Sequence, residues 1–162
     1  MRKIISLTFL IGVLSILSGC IAGGVDAGEW IVSQYSSFTD IQEYCEKLDD
    51  LVSLYATSAI DQDTYQSSIN ELSDELTELE KNRTEEKIKP GTHTTATMTA
   101  KEGYEDIWIS LRTLVNTMSS DTTVISDPDA LSYLYMAYQE QFVKDINKYI
   151  EGYNETVTAE EE

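Results

Sequence analysis

Residues 35–79, YSSFTDIQEYCEKLDDLVSLYATSAIDQDTYQSSINELSDELTEL, decide the fold class. In their first half, and just ahead of it, Ile31, Tyr35, Phe38, Ile41, Cys45, Leu48, Val52, Tyr55 and Ala59 recur at spacings of three and four. An α-helix repeats every 3.6 residues, so this spacing aligns all nine on one stripe. A second stripe begins at Tyr65 and continues through Ile69, Leu72, Leu76 and Leu79. The link between them is short and polar, and Asp61 or Asp63 in it offers an N-cap. Two long amphipathic helices joined so closely have to fold back antiparallel, apolar stripe on apolar stripe.

The pattern returns twice. Lys89-Pro90-Gly91 closes the second helical region, and the Thr-rich run that follows, up to Thr99, reads as loop. A third stripe runs Tyr104, Trp108, Leu111, Val115 and Met118, widened by Ile107 and Leu114. Ser119 to Ser126 reads as a polar connection. Asp127-Pro128-Asp129 then marks a helix start, because Asp caps, Pro fits the first helical position and a second acid complements the dipole. The fourth stripe is Leu131, Leu134, Tyr138, Phe142, Ile146, Tyr149 and Tyr153.

No segment alternates long enough to be a strand. The expected fold is all-α: an up-down-up-down four-helix bundle over residues 29–154 with coiled-coil-like packing at crossings of roughly +20°. Both ends of that bundle would lie at one pole, with residues 155–162 as an acidic tail. A splayed pair of hairpins or an obligate dimer stays open, because the third helix is short.

Ahead of the helices, Arg2 and Lys3 precede an apolar run from Ile4 to Leu17, and Leu17-Ser18-Gly19-Cys20 closes it. This resembles the lipobox of prokaryotic lipoproteins at every position: an aliphatic residue, two small ones, then Cys. The resemblance implies cleavage of a signal peptide at residues 1–19 and a thioether-linked diacylglycerol on Cys20. It further implies a mature domain outside the cytoplasm, anchored by lipid at the cell surface or in a periplasm. A spanning anchor would instead need about 20 apolar residues, and Gly23-Gly24 follows the run too soon. Residues 20–28 read as a flexible tether of roughly 15–18 Å root-mean-square reach.

Charge narrows the partners. Removal of Arg2 and Lys3 would leave nine basic residues against 29 acidic ones, a formal charge of −20. Neutralising nucleic-acid phosphates requires a Lys/Arg surface, so no nucleic-acid partner is expected, nor a basic patch on anionic lipid. The acidity admits three readings: a solvated face, adaptation to high salt, or capture of cations or a basic partner. With Cys20 lipidated, Cys45 has no intrachain disulfide partner, and its place on the first stripe makes it a small core residue.

Little in the chain reads as catalytic. His93, the only histidine, lies in the Thr-rich loop without an orienting acid beside it. Inward Glu-x-x-His pairs and a C-x-x-C-H run are absent, and Asp61-Gln62-Asp63 lacks the later positions of a calcium loop. Neither a metal nor a cofactor is expected. The row Glu71, Asp74, Glu75 and Glu78 reads as a solvated helix face, with weak divalent-cation binding as the lesser reading. Glu43 with Lys47, and Glu140 with Lys144, stand at the spacing of helix-supporting ion pairs.

The candidate ligand carboxylates are Asp106 and Asp145, each one position from a core residue, Ile107 and Ile146. Ten tyrosines are the compositional peculiarity. Tyr133 and Tyr135 cannot both face inward, so Tyr133 is expected outside, forming an interaction surface with Gln139 unless the tyrosines merely fill a core. Asn82-Arg83-Thr84 and Asn154-Glu155-Thr156 match the N-glycosylation pattern at Asn82 and Asn154. The expected function is binding or scaffolding of a protein partner at the cell surface, without enzymatic activity. The alternative is a solute- or cation-binding accessory or sensor protein.

Overall fold

The computed structural model describes Trp30, residues 34–83 and residues 95–160. The expected signal peptide and tether, Lys89-Pro90-Gly91 and His93 lie outside the described residues. Within them the regular structure is entirely helical: α1 (Tyr35–Ala56), α2 (Gln62–Asn82), α3 (Thr95–Ser120), the short α4 (Thr122–Ser126) and α5 (Pro128–Glu160). No helix among the described residues is long and apolar enough to cross a membrane.

The four stripes meet in one core. Ile41, Cys45, Leu48 and Val52 of α1 are fully buried, as are Tyr65, Ile69 and Leu76 of α2. Ile107, Leu111, Val115 and Met118 of α3 join Leu131, Tyr135 and Phe142 of α5. Each large apolar side chain so buried contributes about 1.5–3 kcal/mol relative to an exposed one. The long helices pack in a closed sequence, α1 on α2, α2 on α3, α3 on α5 and α5 back on α1, with α4 against α2, α3 and α5.

Contacts between neighbouring helices run in opposite chain order. Tyr44 of α1 donates its hydroxyl to the Leu72 carbonyl at 2.8 Å, while Tyr55, later in α1, stacks on Tyr65, earlier in α2, at 4.4 Å. Tyr65 reaches the Met118 carbonyl at 3.0 Å, whereas Arg83 meets Glu105. Between α1 and α5, Phe38 faces Tyr149 at 4.7 Å and Asp49 accepts from the Tyr135 hydroxyl.

These hydroxyl bonds account for two of the tyrosines, Tyr55 and Tyr65. The last carbonyls of a helix have no partner within it. Tyr65 and Gln66 supply donors to Met118 and Ser119 at the end of α3, and Tyr55 donates to Ile125 at the end of α4 at 2.6 Å. Tyr55 and Tyr65 therefore fill core volume with their rings and tie off a neighbouring helix with their hydroxyls.

Two helix starts follow the sequence closely. Asp61 is the N-cap of α2 and accepts from Thr64 N at 2.9 Å. Pro128 opens α5, and Asp127 accepts from Asp129 N at 2.9 Å.

Two expectations need correction. Thr95 to Thr99 is the first part of α3, not a loop, so the third helix is 26 residues long. Its small residues let it lie against α5: a Cβ on Gly103 would fall 2.5 Å from Tyr149 N, and one on Gly152 would strike the backbone of Ala96 and Ala100. That contact outweighs the weak helix propensity of threonine. Within residues 119–126, Asp121 caps α4 by accepting from Thr123 N at 2.8 Å, and buried Val124 anchors it. Residues 155–160 continue α5 as helix.

Candidate functional site

The packing of α3 on α5 brings the two candidate carboxylates to one seam. Asp145 is only 4% exposed. Its Oδ2 accepts from the Ser110 hydroxyl at 2.6 Å and its Oδ1 from Gln141 Nε2 at 2.7 Å. Asp106 sits nearer the surface and pairs with Lys148 Nζ at 2.9 Å, which also lies 3.1 Å from Glu102. The hydrogen bonds that Lys148 donates to Asp106 and Glu102 hold its pKa above its ordinary value. Both aspartates thus already have partners within the chain, neutral donors for the buried one and a cation for the other.

The tyrosine surface divides. Tyr133 is 66% exposed, as expected, but Gln139 is buried at 7%. Six residues turn a helix through about 600°, which leaves the two well apart around the axis. Tyr133 and Gln139 therefore do not share an exposed surface. Asn82 stands exposed at the last position of α2, and Asn154 is exposed on α5.

Other charged groups reach across helices. Lys47 pairs with Glu75 of α2, so Glu75 belongs to a cross-link and not to an unengaged acidic row. Arg112 pairs with Glu80 in the same way. Cys45 is wholly buried, and burial pushes its thiol pKa well up.

A cluster that the sequence did not single out lies where α2 ends and α3 begins. The Arg83 guanidinium sits 5.6 Å from the Tyr104 ring centroid and 5.7 Å from that of Trp108. The same group donates to both carboxylate oxygens of Glu105, at 3.1 and 3.3 Å. Trp30 and Phe38 meet Tyr104 edge-on, at 5.9 and 5.7 Å. Arg83 thus combines cation–π contact with both rings and a charge-assisted contact in which one guanidinium nitrogen, Nη2, donates to both oxygens of Glu105. The only sequence signal was Arg83 standing just past the second stripe, with Glu105 beside Tyr104.

Among the described residues, no group of three or more His, Cys, Asp or Glu could hold a metal ion. No family model matches the chain, and neither curated proteins nor solved structures yield a match.

Proposed function

We propose that the protein is an extracytoplasmic lipoprotein whose helical domain, anchored through Cys20, binds a protein partner at the cell surface. The observation that carries this reading is the run Leu17-Ser18-Gly19-Cys20 behind a positively charged and then apolar segment. In this reading the four long helices form an up-down-up-down bundle, supported by the reversed contact order of each neighbouring pair. Trp30, the described residue nearest the anchor in sequence, rests on Tyr104 of α3, which also meets Phe38 in the first turn of α1, so the anchor would lie toward the pole where α1 begins. The opposite pole, with residues 57–61 and 121–127, then faces away from the membrane. The 22 residues of α1 separate the poles by about 33 Å.

The test is to express the chain and its Cys20→Ala variant in the native host with labelled fatty acid, and to crosslink intact membranes. The wild type is expected to carry label, sediment with membranes and crosslink reproducibly to one protein, and the variant to lose all three. Equal membrane retention of the variant would refute the anchor. An anchored protein without a crosslinked neighbour would refute the partner.

The buried carboxylate of Asp145 favours a second reading, a solute- or cation-binding accessory or sensor protein. Thermal unfolding with and without calcium chloride separates the two. Stabilisation by calcium that disappears in Asp145→Asn supports the second reading, and stabilisation that is absent or unchanged rejects it for this residue.

A further inference from the structure

The two N-glycosylation matches of the chain stand in different backbone settings. Asn82 is exposed and is the last residue of α2. Directly after it, Arg83 has left the helix, with φ −58° and ψ 124°. Its side chain turns onto Tyr104, Trp108 and Glu105, whereas Asn82 faces solvent. Asn154 is exposed too, but it lies inside α5, which runs on through residue 156 to Glu160. Just before it, Gly152 is set against the backbone of Ala96 and Ala100 with no room for a Cβ.

A carboxamide nitrogen is a weak nucleophile, because its lone pair is delocalised into the carbonyl. A transferase therefore has to engage the asparagine together with the hydroxyl residue two positions on, which is why the acceptor pattern belongs to surface loops. On an α-helix, positions two apart are turned about 200° from each other and do not share a face. In α5 the helix holds positions 154 and 156 in that relation. Unwinding it there would also disturb the close contact of Gly152 with α3. After Asn82 the helical constraint ends at Arg83, so nothing has to be unwound toward Thr84. We propose that the fold selects between the two, and that Asn82 carries an N-linked glycan while Asn154 does not. The inference rests on the lipoprotein reading, which carries the domain to the side of the membrane where lipid-linked sugars are the donors. In the transfer, Asn82 Nδ2 bonds to the anomeric carbon of the sugar, and the bond from that carbon to the donor's phosphate breaks. The lipid phosphate leaves, and a base of the transferase takes one amide proton. A bulky polar group on exposed Asn82 displaces no packed side chain.

The test is intact and peptide mass spectrometry of the full chain purified from its native host, beside Asn82→Gln, Thr84→Ala and Asn154→Gln. Added mass in steps of sugar units, mapped to Asn82, is the expected result. It should vanish in Asn82→Gln and Thr84→Ala and persist in Asn154→Gln. A chain without sugar would overturn the proposal. Sugar on both asparagines would overturn it as well, because transfer would then precede folding and the fold would select nothing. The same spectra read the diacylglycerol on Cys20. A lipidated chain without sugar refutes this inference alone, and a chain with neither refutes the lipoprotein reading too.

Discussion

Gly152 of α5 lies against the backbone of Ala100 of α3 with no room for a Cβ between them. Gly103 repeats the relationship one turn along, against the backbone of Tyr149. Substituting alanine in a helix ordinarily gains up to about 1 kcal/mol over glycine. Here the neighbour is main chain, which cannot swing aside as a long side chain would. Overpacking of this kind costs typically 1–3 kcal/mol. Gly152→Ala is therefore expected to lower the midpoint of urea unfolding, with the slope unchanged. A midpoint at or above that of the wild type would show that the helices have slack.

Tyr65 offers a test of the hydroxyl ties. Tyr65→Phe keeps the ring that stacks on Tyr55 and removes only the donor to the Met118 carbonyl. The expected cost is about 0.5–1.5 kcal/mol, the net worth of one hydrogen bond. Amide exchange should rise in the last turn of α3 while the middle of that helix stays protected. Uniform acceleration throughout α3 would instead mean a packing defect.

The tyrosines also set an alkaline limit. Burial raises the pKa values of Tyr44, Tyr65, Tyr135, Tyr138 and Tyr149 above the ordinary 10.0. The folded state then keeps protons that the unfolded chain releases, so the unfolded state binds fewer and stability falls as pH rises. Their contribution is complete below pH 10 and is lost progressively above it. Urea midpoints are expected to be insensitive to these groups at neutral pH and to collapse in strong alkali. Tyrosinate absorbance from the five should appear together with loss of helical circular dichroism. Its full appearance in a chain that remains helical would contradict their burial.

The two seam aspartates should differ sharply. Asp145→Ala removes a buried carboxylate and leaves the half-buried Ser110 hydroxyl without its acceptor, while the exposed Gln141 amide can turn to water, at an expected cost of about 1–3 kcal/mol. Asp106→Ala breaks a largely exposed ion pair with Lys148, worth about 0–1 kcal/mol and weakened by salt. Denaturation at low and high salt compares them. Equal costs would indicate that Asp145 is more hydrated than its burial implies.

Most of the helical layout was legible because it depends on local periodicity. The stripe from Phe38 to Tyr55, the cap at Asp61, the start at Pro128 and the core place of Cys45 each follow from spacing and capping chemistry within one segment. Tyr133 outside follows the same way, whereas Tyr135, left off the fourth stripe in favour of Leu134, is wholly buried. Lys47 illustrates the limit. Glu43 stands at the right spacing beside it on α1, yet the lysine crosses to Glu75. Whether it does so depends on how α1 is rotated against α2, which neither stripe encodes.

By itself, then, the amino-acid order determined the helical character of the described residues, four apolar stripes and the helix starts at Asp61 and Pro128. Tertiary structure alone decided that Thr95 to Thr99 is helix, that Gln139 is buried, and that Arg83 lies over Tyr104 and Trp108. It also placed neutral donors around Asp145 and a lysine beside Asp106. The physical reason is range. Helix periodicity acts over a few residues, whereas the close approach at Gly152 and the stacking of Arg83 require segments distant in sequence to be set at one separation and one rotation.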